Sequence, residues 1–167
     1  IEATWPLFAV PAQWPWATWG IAGLEPWAWI ALSVGAAAAL APLPASGRAA
    51  GFVLVVAACA WRPTPPDAGA VRFTMLDVGQ GLAAVVETRH HVLVYDAGPA
   101  FRSGSDAGAM AVEPFLRHSG LRHVDLLVAS HDDLDHAGGA ASVAGLVPVR
   151  RLVASGRALD AVGAVDA

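Results

Sequence analysis

The sequence predicts an α/β domain preceded by a hairpin of two short apolar helices. Three observations carry that prediction. All seven tryptophans precede residue 62, whereas residues 67–167 hold twelve of the fourteen acids, eight of the ten arginines and all six histidines. Beyond residue 67, short segments rich in β-branched residues are interleaved with helical patterns, which is the signature of mixed α/β folds. Finally, a continuous apolar run, Val124 to Ala129, ends at the polar stretch SHDDLDHAGG, Ser130 to Gly139.

Taken in order, residues 1–25 carry Trp5, Trp14, Trp16 and Trp19 and are broken by Pro6, Pro11 and Pro15. They read as an irregular interfacial loop. Two apolar runs follow, at about 27–43 and 49–61, separated by the turn Pro44 to Arg48. Neither reaches the ~18–20 residues of a confident single span. Pro26 suits a first helical position, and Ser46 is placed to cap the second helix. Clustered tryptophans favour a hairpin seated in a membrane with its rings at the interfaces. The alternative is a buried hairpin in a soluble protein. Arg48 favours a cytoplasmic turn, and Arg62 opposes it. Residues 1–66, with the Pro-rich linker Arg62 to Pro66, are thus expected to be membrane-associated, and residues 67–167 to form the soluble domain. The initial Ile1, with no basic-then-apolar leader, is expected of a piece of a longer protein.

In the soluble part, strands are predicted at Val71 to Leu76, Leu82 to Thr88 and Val92 to Tyr95, the last two joined through Arg89 to His91. A Gly- and Ser-rich loop, 97–108, leads to an amphipathic helix over Val112 to Ser119. Pro114 fits within its first turn, and Gly120 closes it. Val124 to Ala129 suits a buried strand that delivers Ser130 and His131 at its carboxyl end, where open α/β sheets place their chemistry. A helix over Gly138 to Ala144 and a strand over Arg151 to Ala154 follow.

The formal charge of −4 argues against a generally basic nucleic-acid surface. Cys59, the sole cysteine, lies in an apolar run, so it forms no internal disulfide and is a poor metal ligand.

From His131 to His136, five of six positions carry metal-capable side chains. A solvated acidic loop has no need of imidazoles at both ends, and a core histidine has no need of three aspartates beside it. In an extended loop His131 and Asp133 point the same way, while Asp135 and His136 lie together where Gly138 and Gly139 let the chain turn. Two adjacent half-sites result. Two divalent ions held by mixed imidazole and carboxylate ligands commonly activate water against a phosphodiester, ester or amide. The alternative is an acidic helix start whose aspartates cap free N–H groups. Asp132, Asp133 and Asp135 are acidic alone, but two divalent ions would turn the site to about +1, able to accept phosphate.

The spacing HxDxDH is similar to the HxHxDH signature of the metallo-β-lactamase superfamily, with Asp133 in place of the second histidine. Together with LDVGQG (Leu76 to Gly81), YDAGP (Tyr95 to Pro99) and SGSDAG (Ser103 to Gly108), it resembles the carboxy-terminal domain of ComEC-type competence proteins, membrane channels for DNA uptake. The resemblance implies the amino-terminal half of a metallo-β-lactamase αββα sandwich, preceded by a transmembrane helical hairpin. The chain stops short of where the superfamily supplies its third histidine, bridging aspartate and last histidine, so half a site is expected. The function implied is hydrolysis of phosphodiesters in a single strand of incoming DNA, at the extracytoplasmic face of a bacterial inner membrane, alongside other components of a DNA-uptake machine. His131 and Asp133 would bind one ion, Asp135 and His136 the other, and Asp135 would also act on the nucleophilic water. Asp133, a hard oxygen donor, moves metal preference from zinc towards manganese, with magnesium as a further candidate.

The resemblance also implies that Asp96 lies under the metal site and orients a ligand histidine. The residues alone allow a turn aspartate bonding backbone amides. Asp77 in the DVGQG turn is either a turn aspartate or a site-wall residue next to a glycine loop that lets backbone approach the substrate. Arg102 and Asp106, on the loop with the SGSDAG segment, are candidate substrate contacts. Arg117, Arg122, Arg150 and Arg151 are weaker candidates for a DNA backbone, and His90, His91, His118 and His123 read as surface or packing residues. Three rival readings stand beside hydrolysis of DNA: another metallo-β-lactamase-fold hydrolase, a non-catalytic module that guides DNA through the channel, and a soluble acidic domain with no metal at all.

Overall fold

A computed structural model describes residues 23–154 of the chain. Residues 1–22 of the expected interfacial loop, and the late acids Asp160 and Asp166, lie outside the described residues. The chain divides into two compact units, with the boundary between Trp61 and Arg62.

In the first unit, helix α1 spans Pro26–Leu40 and helix α2 spans Ala45–Ala60. Pro26 sits in the first turn of α1, where its missing N–H is no loss because no intrahelical acceptor exists there. Ser46 does not cap α2. That helix begins one residue earlier, with Pro44 in the capping position. The helices touch through small residues: a Cβ on Gly35 would lie 2.8 Å from the Gly51 carbonyl oxygen, and one on Gly51 would lie 2.6 Å from that of Gly35. Trp27 meets Trp61 edge-on, with ring centroids 5.6 Å apart. Larger side chains point outward, and Ile30, Val34, Phe52, Val53 and Val56 are half or more exposed. The transmembrane expectation needs correction. At 15 and 16 residues the helices rise only about 22–24 Å, against about 30 Å for a hydrocarbon core. No helix among the described residues is long and apolar enough to cross a membrane.

The second unit is built on a five-stranded sheet in the order β1-β2-β3-β4-β5. Its strands are β1 (Arg72–Met75), β2 (Ala83–Glu87), β3 (Val92–Ala97), β4 (Leu126–Ala129) and β5 (Leu152–Ala154). The first three pair antiparallel and the last three parallel. Between β2 and β3 the Thr88 hydroxyl accepts from the His91 N–H at 3.0 Å, which fixes a tight turn. The crossover from β3 to β4 holds a five-residue π-helical turn, Gly108–Val112, followed by helix α3 (Glu113–His118). Helices α4 (Leu134–Ala137) and α5 (Ala140–Leu146) connect β4 to β5. Both crossovers step the same way along the sheet, so right-handed connection puts their helices on one face.

That face is the core. Val85, Val94 and Leu127 from the sheet pack with Val112, Leu116 and Val143 from the crossovers, all at 0% exposure. Each such side chain contributes about 1.5–3 kcal/mol of burial. The opposite face carries Phe73, Met75, Tyr95 and Val153, between 41% and 64% exposed. Strand ends are trimmed relative to the sequence reading except in β3, which runs on to Ala97; Val124, expected inside β4, makes only an isolated bridge to Val149. The amphipathic helix expected over Val112 to Ser119 is α3, with the π turn in front of it.

Candidate metal centre

The site forms at the carboxyl ends of β3 and β4. Strand β3 ends around Asp96, which is 1% exposed and has φ of +57°. That conformation is uncommon for a residue with a Cβ, and such strained positions cluster at functional sites. Its carboxylate holds it there. Oδ1 accepts the Ser130 N–H at 2.7 Å, and Oδ2 accepts the Ser130 hydroxyl and faces His136 Nδ1, both at 2.8 Å.

Proton bookkeeping across these contacts sets both rings. An ionised carboxylate only accepts, so His136 carries its proton on Nδ1 and donates it to Asp96. The Ser130 hydroxyl spends its single proton on the same carboxylate. His131 Nδ1, 2.8 Å from that hydroxyl, must therefore be the donor in their bond. One buried aspartate thus fixes the tautomer of two histidines, one directly and one through a serine. Each is left with its Nε2 lone pair free.

Those Nε2 atoms face carboxylates. His131 Nε2 lies 3.3 Å from Asp133 Oδ2, and His136 Nε2 lies 3.8 Å from Asp135 Oδ2. The two rings are neighbours, with centroids 4.1 Å apart and planes tilted by 48°. The structure therefore places Asp133 beside His131 and Asp135 beside His136. The local backbone differs from the expected loop. Asp133 is extended at the start of α4, and Asp135 and His136 ride on that single helical turn. Asp133 makes no capping bond, so its carboxylate is not occupied by the helix start.

Close backbone approach seats this turn. The Leu82 N–H donates to the Asp135 carbonyl at 3.1 Å. A Cβ on Gly81, whose φ is +147°, would lie 2.2 Å from that oxygen, so the DVGQG loop admits only glycine there. On the other side, the Gly139 N–H donates to the Gly98 carbonyl at 3.0 Å.

The donor set fits a divalent ion. Asp96, His131 and His136 offer donor atoms within 4.8 Å of one another. The Asp96 oxygens also accept three hydrogen bonds, and the Asp133 and Asp135 carboxylates lie beside the two Nε2 atoms. Two imidazoles and two carboxylates suit manganese, zinc or magnesium in differing degree.

The remaining candidates fall elsewhere. Asp77 is exposed and accepts the Gly79 N–H at 3.2 Å, shaping the DVGQG turn. Asp106 accepts the Ala109 N–H at 2.9 Å and the Ser142 hydroxyl at 2.5 Å, so both its oxygens tie the π turn to α5. Arg102 is exposed on the adjoining loop. Arg117 pairs with Glu113 at 2.7 Å, and Arg150 with Asp125 at 2.8 Å. Sequence reasoning missed Ser130, whose only signal was a hydroxyl directly before the first histidine. It also missed Asp125, which accepts the Val92 N–H at 2.8 Å and faces His123 and His91 at 3.5 and 3.7 Å. The Val92 N–H, followed by His123, Arg150 and His91, holds the Asp125 carboxyl below its ordinary range, against an opposing effect of burial.

Comparison with known proteins bears on this geometry. A profile of the metallo-beta-lactamase superfamily matches residues 76–160. Recombination protein 2 of Haemophilus influenzae is 39% identical over 82 residues, covering 49% of this chain and 10% of that protein. Competence protein ComA of Neisseria gonorrhoeae is 32% identical over 126 residues, covering 75% of this chain and 14% of that protein. Uncharacterized protein YcaI of Escherichia coli is 32% identical over 151 residues, covering 87% of this chain and 18% of that protein. The chain therefore spans less than a fifth of the length of each of these relatives.

Proposed function

The chain belongs to the metallo-β-lactamase superfamily and is of the ComEC type, and from that premise we propose that it supplies part of a metal-dependent hydrolase domain acting on incoming DNA. The observation that carries the reading is the histidine pair, each ring anchored at Nδ1 through Asp96 and aimed by Nε2 at a carboxylate. The printed name of one relative, a competence protein, supports DNA uptake as the setting.

Divalent ions bound there would activate water and neutralise phosphate charge. The chain's own residues do the rest. His131 with Asp133 and His136 with Asp135 hold the two positions, and Asp96 with Ser130 keeps the rings in one orientation. Asp135, 45% exposed at its side chain, is reachable by solvent and takes the proton of the attacking water. Arg102 is a contact for the DNA strand. Asp133 in the ligand set favours manganese over zinc. The open apolar face of the sheet, with Phe73 and Tyr95, takes a second sheet to complete the sandwich. In the intact protein, the apolar hairpin seats the domain in the bacterial inner membrane with the hydrolase outside the cytoplasm, beside other uptake components.

The test is cleavage of labelled single-stranded DNA by the intact protein supplied with manganese. Cleavage should vanish on chelation and fall by about two orders of magnitude or more in His136→Ala. Undiminished cleavage by that variant would place the chemistry elsewhere. DNA bound but left uncut by the unaltered protein would favour a guiding module.

A further inference from the structure

At the amino-terminal ends of β3 and β4, away from the histidine pair, the second unit carries a cleft of about 350 Å³. Its lining holds three arginines, Arg72, Arg89 and Arg122, and three histidines, His90, His91 and His123, against one carboxylate, Glu87. That carboxylate is 3% exposed and already paired with Arg72 at 3.2 Å. Arg89 and Arg122 are exposed, and neither makes an ion pair among the described residues. Asp125, behind His91 and His123, is matched by Arg150 at 2.8 Å and so does not offset the two unpaired arginines. A chain with a net charge of −4 therefore concentrates unspent cations in one concavity.

We propose that this cleft grips the phosphodiester backbone of a DNA strand at a distance from the metal centre. Its unpaired arginines, Arg89 and Arg122, lie on two loops, Thr88 to His91 and Ser119 to His123, and both are exposed. That arrangement suits an extended polyanion and not a small enclosed anion, since arginine forks match successive phosphate oxygens. The His91 side chain, 74% exposed, offers a flat face for an unpaired base. Strand β3, 6 residues long, separates cleft and histidines by about 20 Å, so one strand can be held at the first while its next stretch reaches the second. A bilayer surface offers the same phosphate chemistry. It is disfavoured because the site is concave and its lining lacks the exposed aromatic anchors of interfacial segments.

The inference takes DNA as its polymer from the reading above, but its test does not pass through hydrolysis. Anisotropy of a labelled thymidine oligonucleotide would be measured with the 167-residue chain in detergent and chelator, across a salt series. The double variant Arg89→Ala with Arg122→Ala should bind about tenfold or more weakly at low salt, with the log–log salt slope reduced by about 1.4. The pair Arg89→Lys with Arg122→Lys keeps both charges and should recover most of that slope. No binding by the unaltered chain, or equal affinity and slope in the alanine variant, overturns the proposal. So does a loss confined to phosphatidylglycerol vesicles, which would assign the cleft to a membrane surface. Because metal is chelated, a failure of the hydrolase reading leaves each of these results intact.

Discussion

At the scale of the residue, the consequential group is Asp96, whose carboxylate reaches one imidazole directly and the other through Ser130. Asp96→Asn cannot accept from the Ser130 N–H, the Ser130 hydroxyl and His136 together without turning an amide N–H against one of them. Divalent-ion affinity should fall about 10–100-fold, read by titration calorimetry; an unchanged affinity would mean the rings need no anchor. Asp133→His replaces a hard oxygen with a borderline nitrogen and should shift the activity optimum of the intact protein from manganese towards zinc. Activity of both forms at matched free-metal concentrations checks this, and identical zinc optima would defeat the hard-ligand argument. The pairing of His131 with Asp133 and of Asp135 with His136 was legible because the ligands are contiguous. Ser130 was not legible, because a serine before a histidine is uninformative until a carboxylate 34 positions away is brought against it. Asp106 accepts the Ser142 hydroxyl, a contact across 36 positions that the loop sequence does not announce.

At the scale of the element, long and strongly patterned segments were legible and single turns were not. The sheet's buried strands announce themselves by β-branching, whereas α4, at 4 residues, is too short for a helical period to register. The π turn escaped for a similar reason, since Ala- and Gly-rich residues fit several backbones. The start of β4 is tied down by Asp125, whose carboxyl sits below its ordinary range chiefly through the Val92 N–H. A depressed carboxyl stabilises the fold fully above its unfolded value near 3.8 and loses that contribution as pH falls through the folded value. Asp125→Asn should therefore cost about 1–2 kcal/mol at neutral pH, with the deficit shrinking below a pH of 3.8. Urea midpoints at a series of pH values measure it, and a deficit that does not change on acidification would contradict the assignment.

At the scale of the whole molecule, the chain divides into two compact units, with the boundary between Trp61 and Arg62. What composition could not give was reach, because a run of apolar residues does not say where capping will end the helix. The first unit turns its large apolar side chains outward and its glycines inward, the reverse of a hairpin in water. This pattern predicts that the chain stays with membranes after a carbonate wash despite helices too short to cross unaided; recovery in the soluble fraction would refute it. In the second unit, one covered and one apolar open face follow from both crossovers lying on the same side.

The hydrolase reading rests on one claim, that His131 and His136 keep their protons on Nδ1 and present Nε2 to a divalent ion. Long-range nitrogen–proton NMR of the chain labelled at its histidines reads this directly. The account predicts the Nδ1–H tautomer for both rings, and a zinc titration that moves the Nε2 resonances of these two while leaving His90 and His118 unmoved. An Nε2–H tautomer on either ring, or Nε2 resonances indifferent to the ion, would contradict it.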